Sequence, residues 1–254
     1  MKKKYIALLD ILGFKDLIEN NTHEEVVKLF DNFRIYLQMA LAKQKSTVDR
    51  LGRSVYDVSN SRINSIIISD TLIFWTNDND PEDFFELIDC LQRFMVFCHN
   101  QAKIFLRGGI TYGDFHYDNT GTIIKPNDSI MMHPLIVGKA LVSAHLIETK
   151  LQFAGCIIDQ NAIEQVKKDA PKLFGKRWNQ FLHDKVIVEY NVPMKTCIQK
   201  AWTINWVRDF TESNRSFAKD FSSRNKSISD LEVQKKIENT TGYYNFVRKV
   251  LHGM

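Results

Sequence analysis

The chain has 254 residues, of which 44% are hydrophobic, and a formal net charge of +4. This length and composition predict one large domain, or one domain with an appendage, and the small, dispersed positive charge excludes a typical nucleic-acid-binding protein. No apolar run reaches the roughly 18 residues that a membrane span requires. We therefore expect neither nucleic acid nor a membrane as a partner. Cysteines without CxxC spacing indicate free thiols and a cytoplasmic location: Cys90, Cys98, Cys156 and Cys197.

The first predicted strand, residues 4–10, is an apolar run that ends in Asp10. Apolar residues then recur at helical spacing over residues 15–43. The polar residues 20–22 divide this region into two helices. Thr22 and Glu25 form the sequence pattern of a capping box, which predicts that the second helix begins there.

A second acidic residue, Asp70, lies at the tip of a predicted hairpin over residues 62–76. Runs of β-favouring residues flank it and meet at Ser69 and Asp70. Between the first helices and this hairpin, residues 44–61 predict a loop or short strand.

After the hairpin, the sequence predicts a helix from Pro81 to about Lys103 and a strand over 104–113, whose glycines indicate a bulge or a close backbone approach. A second strand and loop from Phe115 to Asp128 follow. The remaining predicted elements are a helix over Gly138–Lys150, a short strand over Gly155–Asp159, a helix over Asn161–Lys168, strands over 186–190 and 196–204, and one or two amphipathic helices after about Arg208.

This order of elements, βαββαβ, is that of a ferredoxin-like α+β fold with helices packed on an antiparallel-containing sheet. In that fold the end of the first strand and the tip of the hairpin are neighbours, so Asp10 and Asp70 come together. Two carboxylates beside a helix N-terminus suit a divalent metal and a triphosphate. Taken singly, each aspartate also suits a turn or a helix N-cap. We expect a catalytic domain over residues 1–205 and a helical C-terminal extension over residues 206–254.

Three segments resemble motifs of the class III nucleotide cyclases. Residues 10–14, Asp-Ile-Leu-Gly-Phe, resemble the first metal motif, and Ser69-Asp70 resembles the second, which is normally Gly-Asp. Residues 107–113, Arg-Gly-Gly-Ile-Thr-Tyr-Gly, resemble the Arg-x-Gly-Ile-x-x-Gly strand, and the helix that opens at Gly138 follows in the expected place. The resemblance covers roughly residues 4–205.

The resemblance implies which residues form the site. Asp10 and Asp70 would hold two Mn²⁺ or Mg²⁺ ions with the backbone carbonyl of Ile11, and the amides around Leu12, Gly13 and Phe14 would bind the triphosphate. It also implies a homodimer with composite active sites, because members of this family work in that form.

The departures from the family pattern bear on the substrate. Purine cyclases carry a Lys or Glu where this chain has Ile66, and an Asp or Cys where it has Leu135. The Asn and Arg of the Gly138 helix fall on Val142 and Leu146, so the usual transition-state cation is missing. Its replacement is left open between Lys139, Arg107 and a residue of the closing strands. A buried strand arginine such as Arg107 more often pairs with a carboxylate for structural reasons.

Together these features resemble the pyrimidine nucleotide cyclases of the bacterial Pycsar anti-phage systems. That resemblance implies conversion of UTP or CTP to a cyclic nucleotide that acts on a separate effector protein, and UTP is favoured. Tyr56 or Arg62 would line the base pocket with Ile66 and Leu135. The alternatives are a purine cyclase with relocated base contacts and a degenerate domain that binds nucleotide or a partner without turnover.

Overall fold

The computed structural model describes residues 2–124, 129–207, 215–226 and 230–252. The strands are β1 (Lys2–Ile11), β2 (Ser46–Val48), β3 (Ser54–Tyr56), β4 (Ile63–Ile68), β5 (Thr71–Thr76), β6 (Leu106–Ile124), β7 (Ser129–Val137), β8 (Cys156–Ile158), β9 (Ile187–Pro193) and β10 (Ile198–Ile204). The helices are α1 (Phe14–Glu19), α2 (His23–Leu41), α3 (Pro81–Val96), α4 (Lys139–Lys150), α5 (Gln160–Asp169), α6 (Pro171–His183), α7 (Phe217–Asn225) and α8 (Leu231–His252).

The main sheet has the strand order β4-β5-β1-β6-β8-β10-β9, and β7 pairs with the far part of β6. Within it, β4-β5-β1-β6 is the strand order of a ferredoxin-like unit, and β1 is antiparallel to both of its neighbours. The α+β fold class is therefore confirmed. Strands β2 and β3 form a separate two-stranded ribbon.

Strand β1 is buried on both faces, which explains its continuous apolar sequence. Tyr5, Ala7 and Leu9 belong to the main hydrophobic core, whereas Ile6 and Leu8 pack in a second cluster with residues of α4. Because side chains alternate along a strand, Asp10 falls on the same side as Ile6 and Leu8, the side that α4 covers.

The capping box at the start of α2 is confirmed. The Thr22 hydroxyl accepts a hydrogen bond from the Glu25 amide at 3.3 Å, and the Glu25 carboxylate accepts one from the Thr22 amide at 2.8 Å. The hairpin of β4 and β5 is also found where it was predicted. At its tip Ser69 has a φ of 57°, so the turn is made by a residue in the left-handed region.

Other predictions differ from the structure. No break separates residues 104–113 from the strand predicted after them, because β6 continues to Ile124 and its far part pairs with β7. A loop was predicted around Gly121 and Pro126: Gly121 instead lies inside β6, where it pairs with Met132 of β7, and Pro126 lies outside the described residues. Helix α3 ends at Val96 and a π-helical segment, Phe97–Ala102, follows it. Helix α6 is absent from the sequence-based predictions.

The C-terminal helices complete the main core. Trp206 is fully buried, Phe217 and Phe221 of α7 are 1% exposed, and Tyr243 of α8 is fully buried. All four belong to the same cluster as Tyr5, Ala7 and Leu9 of β1. The stretch that we assigned to a C-terminal extension therefore packs as part of one hydrophobic core. Residues 208–214 of this stretch lie outside the described part of the chain.

No helix among the described residues is long and apolar enough to span a lipid bilayer.

Candidate active site

The structure brings Asp10 and Asp70 together at one end of the sheet. Thr71, which follows Asp70, is the β5 partner of Asp10, and the amide of Ile11 donates a hydrogen bond to the carbonyl of Asp70 at 3.1 Å. The hairpin tip is thus fixed to the end of β1. The predicted convergence of these two sequence-distant residues is observed.

Asp10 has a second neighbour across the sheet, Arg107 on β6. Its carboxylate accepts hydrogen bonds from Nε and from a terminal nitrogen of Arg107, both at 3.3 Å. That terminal nitrogen is also 2.6 Å from the carboxylate of Glu148 on α4, and the other terminal nitrogen donates to the carbonyl of Leu151. The guanidinium is therefore held by two acids, as expected for a buried structural arginine, and is not free to bind a phosphate.

The pKa of Asp10 is raised from 3.8 to about 7, mainly by burial and then by the nearby carboxylates of Glu148 and Asp70, while Arg107 acts in the opposite direction. Two acids share one guanidinium and Asp70 adds a third carboxylate nearby, so the end of β1 carries excess negative charge in a partly buried setting. A bound cation would relieve this charge.

The donor set suits a hard divalent ion. Carboxylate and carbonyl oxygens are the ligands that Mg²⁺ and Mn²⁺ prefer, and Mg²⁺ is commonly bound by one or two carboxylates together with substrate phosphates. In the described part of the chain no group of three or more His, Cys, Asp or Glu side chains is arranged to hold a metal by itself.

The turn that precedes α1 lies directly beside these acids. Gly13 has a φ of 73°, a left-handed conformation that glycine adopts readily, and among the described residues no side chain caps the helix that follows. Of the three amides predicted to bind a triphosphate, that of Leu12 already donates to the carbonyl of Phe105 at 2.8 Å. The prediction for Leu12 is thereby corrected, and Gly13 and Phe14 remain as candidates.

Of the two apolar residues predicted for the base pocket, Ile66 lies on the face of the sheet that carries the second cluster, whereas Leu135 does not pack against it. Ile66 on β4 is half-buried and packs against this cluster, as does Ile136, the chain neighbour of Leu135. Leu135 itself is half exposed. Neither side chain can donate or accept a hydrogen bond.

Arg62 does not lie near the hairpin tip, and Tyr56 lies outside the main sheet. Arg62 precedes the far end of β4, six residues from Ile68 and so ~20 Å away along the strand, and its guanidinium is 2.7 Å from the buried carboxylate of Asp83. Tyr56 belongs to the separate ribbon, on β3. We withdraw Arg62 as a base-pocket residue, because its charge is already paired.

Lys139 is also distant from Asp10 within this chain. It opens α4 beside Gly113, and Gly113 pairs with Lys4 at the other end of β1. Six residues of extended strand separate Lys4 from Asp10, which is ~20 Å. Lys139 therefore does not reach the phosphate site of its own chain.

The sequence reasoning missed two residues that touch the site. Glu148 follows Ala140 and Ala144 at intervals of four residues, so helical spacing places it on the buried face of α4, and that was a usable signal. Asn225 at the end of α7 donates a hydrogen bond to the carbonyl of Gly13 at 2.6 Å. Nothing in the local sequence indicates this contact.

Comparison with known proteins connects this arrangement to solved structures. No protein-family model matches the sequence, and no curated protein matches it. A structure of a bacterial light-regulated adenylyl cyclase aligns with 89% of this chain at a TM-score of 0.52 and 15% identity, and this chain covers 57% of that protein.

Two further structures are similar to a lesser degree. A second structure of a bacterial light-regulated adenylyl cyclase aligns with 89% of this chain at a TM-score of 0.49 and 16% identity, again with 57% of that chain covered. An adenylate cyclase from Trypanosoma brucei in its monomeric state aligns with 83% of this chain at a TM-score of 0.48 and 8% identity, with 93% of that chain covered.

This chain thus spans little more than half the length of the bacterial cyclase that it matches with the highest of these scores. The sheet order, the antiparallel pairing of β1 and the structural match agree with one another. The chain has the class III nucleotide cyclase fold.

Proposed function

We propose that the protein is a nucleotide cyclase, which converts a nucleoside triphosphate to a 3′,5′-cyclic nucleotide and pyrophosphate. The observation that carries the proposal is the meeting of Asp10 and Asp70 at adjacent strand ends, beside the uncapped turn at Gly13. A structural role in turns would not require two acids at one point, nor the excess negative charge that raises the pKa of Asp10.

The reaction is an in-line displacement within one nucleotide. The ribose 3′-hydroxyl gives up its proton to solvent, its oxygen bonds to the α-phosphorus, the bond from that phosphorus to the bridging oxygen breaks, and pyrophosphate leaves. Bound divalent cations would supply charge neutralisation and a lower pKa for the attacking hydroxyl. Asp10 and Asp70 would hold those cations, and the Gly13 and Phe14 amides would bind phosphate oxygens. Arg107 would keep Asp10 in place, since Glu148 fixes its guanidinium from the other side.

We further propose a pyrimidine substrate, with UTP favoured over CTP. The support is the apolar character of Ile66 and Leu135, because a site that reads a purine edge needs hydrogen-bonding groups. A purine cyclase with relocated base contacts fits the fold equally well, and the product assay below separates the two.

We also propose a homodimer. Val142 and Leu146 on α4 are 60% and 51% exposed, and they occupy the positions where the family carries residues of the composite site. Exposed apolar side chains on one helix favour a protein partner. Analytical ultracentrifugation of the wild type and of Val142→Lys tests this point. A wild-type monomer at concentrations that support turnover would contradict it.

The resemblance to Pycsar cyclases leads us to propose a role in anti-phage defence, in which the cyclic product activates a separate effector protein. The four cysteines are free thiols, which suits the reducing cytoplasm. Phage plaque counts on cells that carry the wild type or Asp70→Asn, each with the effector, test this role. Equal protection by both would contradict it.

The decisive experiment is incubation of the purified protein with each of the four nucleoside triphosphates and Mn²⁺, followed by separation of the products. We expect cyclic UMP, and a loss of about a hundredfold or more in Asp70→Asn. Asp78→Asn is the matched control, because Asp78 is exposed and pairs with Lys2 at the other end of β1. Cyclic AMP or GMP as the sole product would overturn the pyrimidine proposal.

The alternative without catalysis is a degenerate domain that binds nucleotide, and the missing Asn and Arg at Val142 and Leu146 favour it. It requires nucleotide binding with no cyclic product from any of the four substrates, in the wild type as well as in Asp70→Asn.

A further inference from the structure

Helix α7 is packed directly against the turn at Gly13. The Asn225 side chain donates to the Gly13 carbonyl at 2.6 Å, and a Cβ atom added to Gly13 would overlap the ring of Phe221 and lie 2.7 Å from the Asn225 amide nitrogen. The contact is reciprocal, because the side chains of Asn20 and Asn21 donate to the backbone carbonyls of Asn225 and Arg224, both at 2.8 Å.

Helix α7 also contacts residues 102–105, the segment that accepts the hydrogen bond of the Leu12 amide. Arg224 donates to the carbonyl of Ala102 at 2.8 Å, and the ring of Phe105 lies 5.6 Å from that of Phe217 and is stacked with that of Phe221 at 6.4 Å. The carbonyl of Phe105 is the acceptor for the Leu12 amide. Two groups therefore hold this turn, the Asn225 side chain and the Phe105 carbonyl. Helix α7 supplies the first and packs against the ring of the residue that supplies the second.

We propose that Asn225 is a positioning residue for the phosphate-binding turn, and that α7 thereby forms part of the nucleotide site. This inference rests on the proposed function, since it assigns the Gly13 and Phe14 amides to the triphosphate. The hydrogen bond of the Asn225 side chain at this site goes to the Gly13 carbonyl and not to an acid. It acts through Gly13.

The geometry explains why a side chain is needed here. The Gly13 carbonyl also accepts the Leu17 amide at 3.0 Å, which begins α1. The second hydrogen bond, from a residue that is only 4% exposed, fixes the direction of this peptide group. The peptide that carries this carbonyl also carries the Phe14 amide, so fixing one fixes the other. A turn held in this way presents its amides without the entropy loss of ordering it when nucleotide binds.

The test compares Asn225→Ala with Asn20→Ala. Each removes one amide hydrogen bond at the contact of α1 and α7, but only the first removes a hydrogen bond to the Gly13 carbonyl. In Asn225→Ala we expect the KM for nucleotide to rise about tenfold, which corresponds to about 1.4 kcal/mol, while kcat changes less. Amide hydrogen exchange of residues 12–17 should become faster. In Asn20→Ala the KM for nucleotide and the amide exchange of residues 12–17 should stay close to those of the wild type.

The proposal is overturned if Asn225→Ala leaves KM unchanged, or if Asn20→Ala raises it equally, because the effect would then be general docking of α7. Failure of the proposed function is distinguishable from this. If the wild type forms no cyclic product, UTP binding with Mn²⁺ replaces KM as the readout, and weaker binding with faster exchange in Asn225→Ala alone supports the positioning role. Equal binding and exchange in all three proteins, or no binding in any, overturns it.

Discussion

Asp10 and Glu148 compete for the guanidinium of Arg107, and Asp70 adds a third negative charge nearby. In the protein without bound metal this arrangement is a cost to stability, and it is the kind of cost that binding sites carry. Two consequences can be measured at single residues.

The first consequence is the dependence of folding stability on pH. Since the folded pKa of Asp10, about 7, lies above its ordinary value of 3.8, ionising it destabilises the folded state, and this penalty grows from about pH 4 until pH 7. Asp10→Asn removes the penalty. In metal-free buffer we expect the gain in Tm of Asp10→Asn over the wild type to be larger at pH 8 than at pH 5. Asp78→Asn, at an exposed position, should show no such difference. Equal gains at both pH values would refute the buried-charge account.

The second consequence concerns the cause of the raised pKa of Asp10. After burial itself, the Glu148 carboxylate is the largest cause that raises the pKa of Asp10. Glu148→Gln should therefore lower that pKa, as measured by NMR titration of ¹³C-labelled aspartate carboxyls, with Asp10 assigned from Asp10→Asn. Glu164→Gln, on the exposed side of α5, is the control. An unchanged Asp10 titration in Glu148→Gln would show that the two acids are not coupled through Arg107.

Among the secondary-structure elements, the pairing of β1 with β6 matters most for the site, because it sets Asp10 opposite Arg107. Gly108 allows this pairing. A Cβ atom at Gly108 would overlap the backbone carbonyl of Leu8 on β1. The glycine pair in this strand was predicted to mark a bulge or a close backbone approach, and the approach is what the structure has.

Gly108→Ala should consequently separate the two central strands. We expect a loss of more than about 4 kcal/mol in the free energy of unfolding, or no folded protein. Gly175→Ala is the matched control, because Gly175 lies inside α6 with open space around it, and alanine there should add about 0.5–1 kcal/mol. Urea unfolding followed by circular dichroism measures both. A Gly108→Ala protein within about 1 kcal/mol of the wild type would disprove the close-approach argument.

The elements that sequence patterns predicted are those with a strong local signal. β1 is an apolar run, and α2 begins with a capping box. Helix α6 has a weaker pattern, since its fully buried side chains are few (Trp178 and Phe181) among many polar ones, and Pro171 at its first turn was the signal available. The continuation of β6 could not be predicted locally, because its pairing with β7 is what sustains it.

On the scale of the whole molecule, the C-terminal helices belong to the same core as the sheet. The Tyr243 ring on α8 is fully buried among those of Phe153, Tyr190 and Trp206, and its hydroxyl donates to the carbonyl of Ile204 at 2.9 Å. Helix α8 is thus attached to the sheet through β10.

Tyr243→Ala should lower the free energy of unfolding by about 3–5 kcal/mol, as for other large core residues. Leu231→Ala on the same helix should change it by less than about 0.5 kcal/mol, because Leu231 is 78% exposed. Thermal and urea unfolding of both variants provide the measurement. Similar losses in the two variants would indicate that α8 is not an integral part of the core.

The candidate site was predictable only in part for a related reason. The two aspartates lie at the ends of apolar strands, so the change from apolar to acidic residues marks them in the sequence. Asn225 is 212 residues from Gly13, and a contact over that distance leaves no periodic pattern in either segment. Predicting it requires knowledge of where α7 packs, which follows from the completed core.

The contact between Asn225 and Gly13 also bears on the order in which a working molecule is made. The ribosome synthesises both acids, the hairpin and all of the main sheet before it reaches α7. A nascent chain that has just finished β10 therefore contains every proposed metal ligand but still lacks the helix that holds its phosphate turn. If Asn225 acts as proposed, chains that stop before α7 bind nucleotide weakly, and tight binding begins only once α7 has been translated.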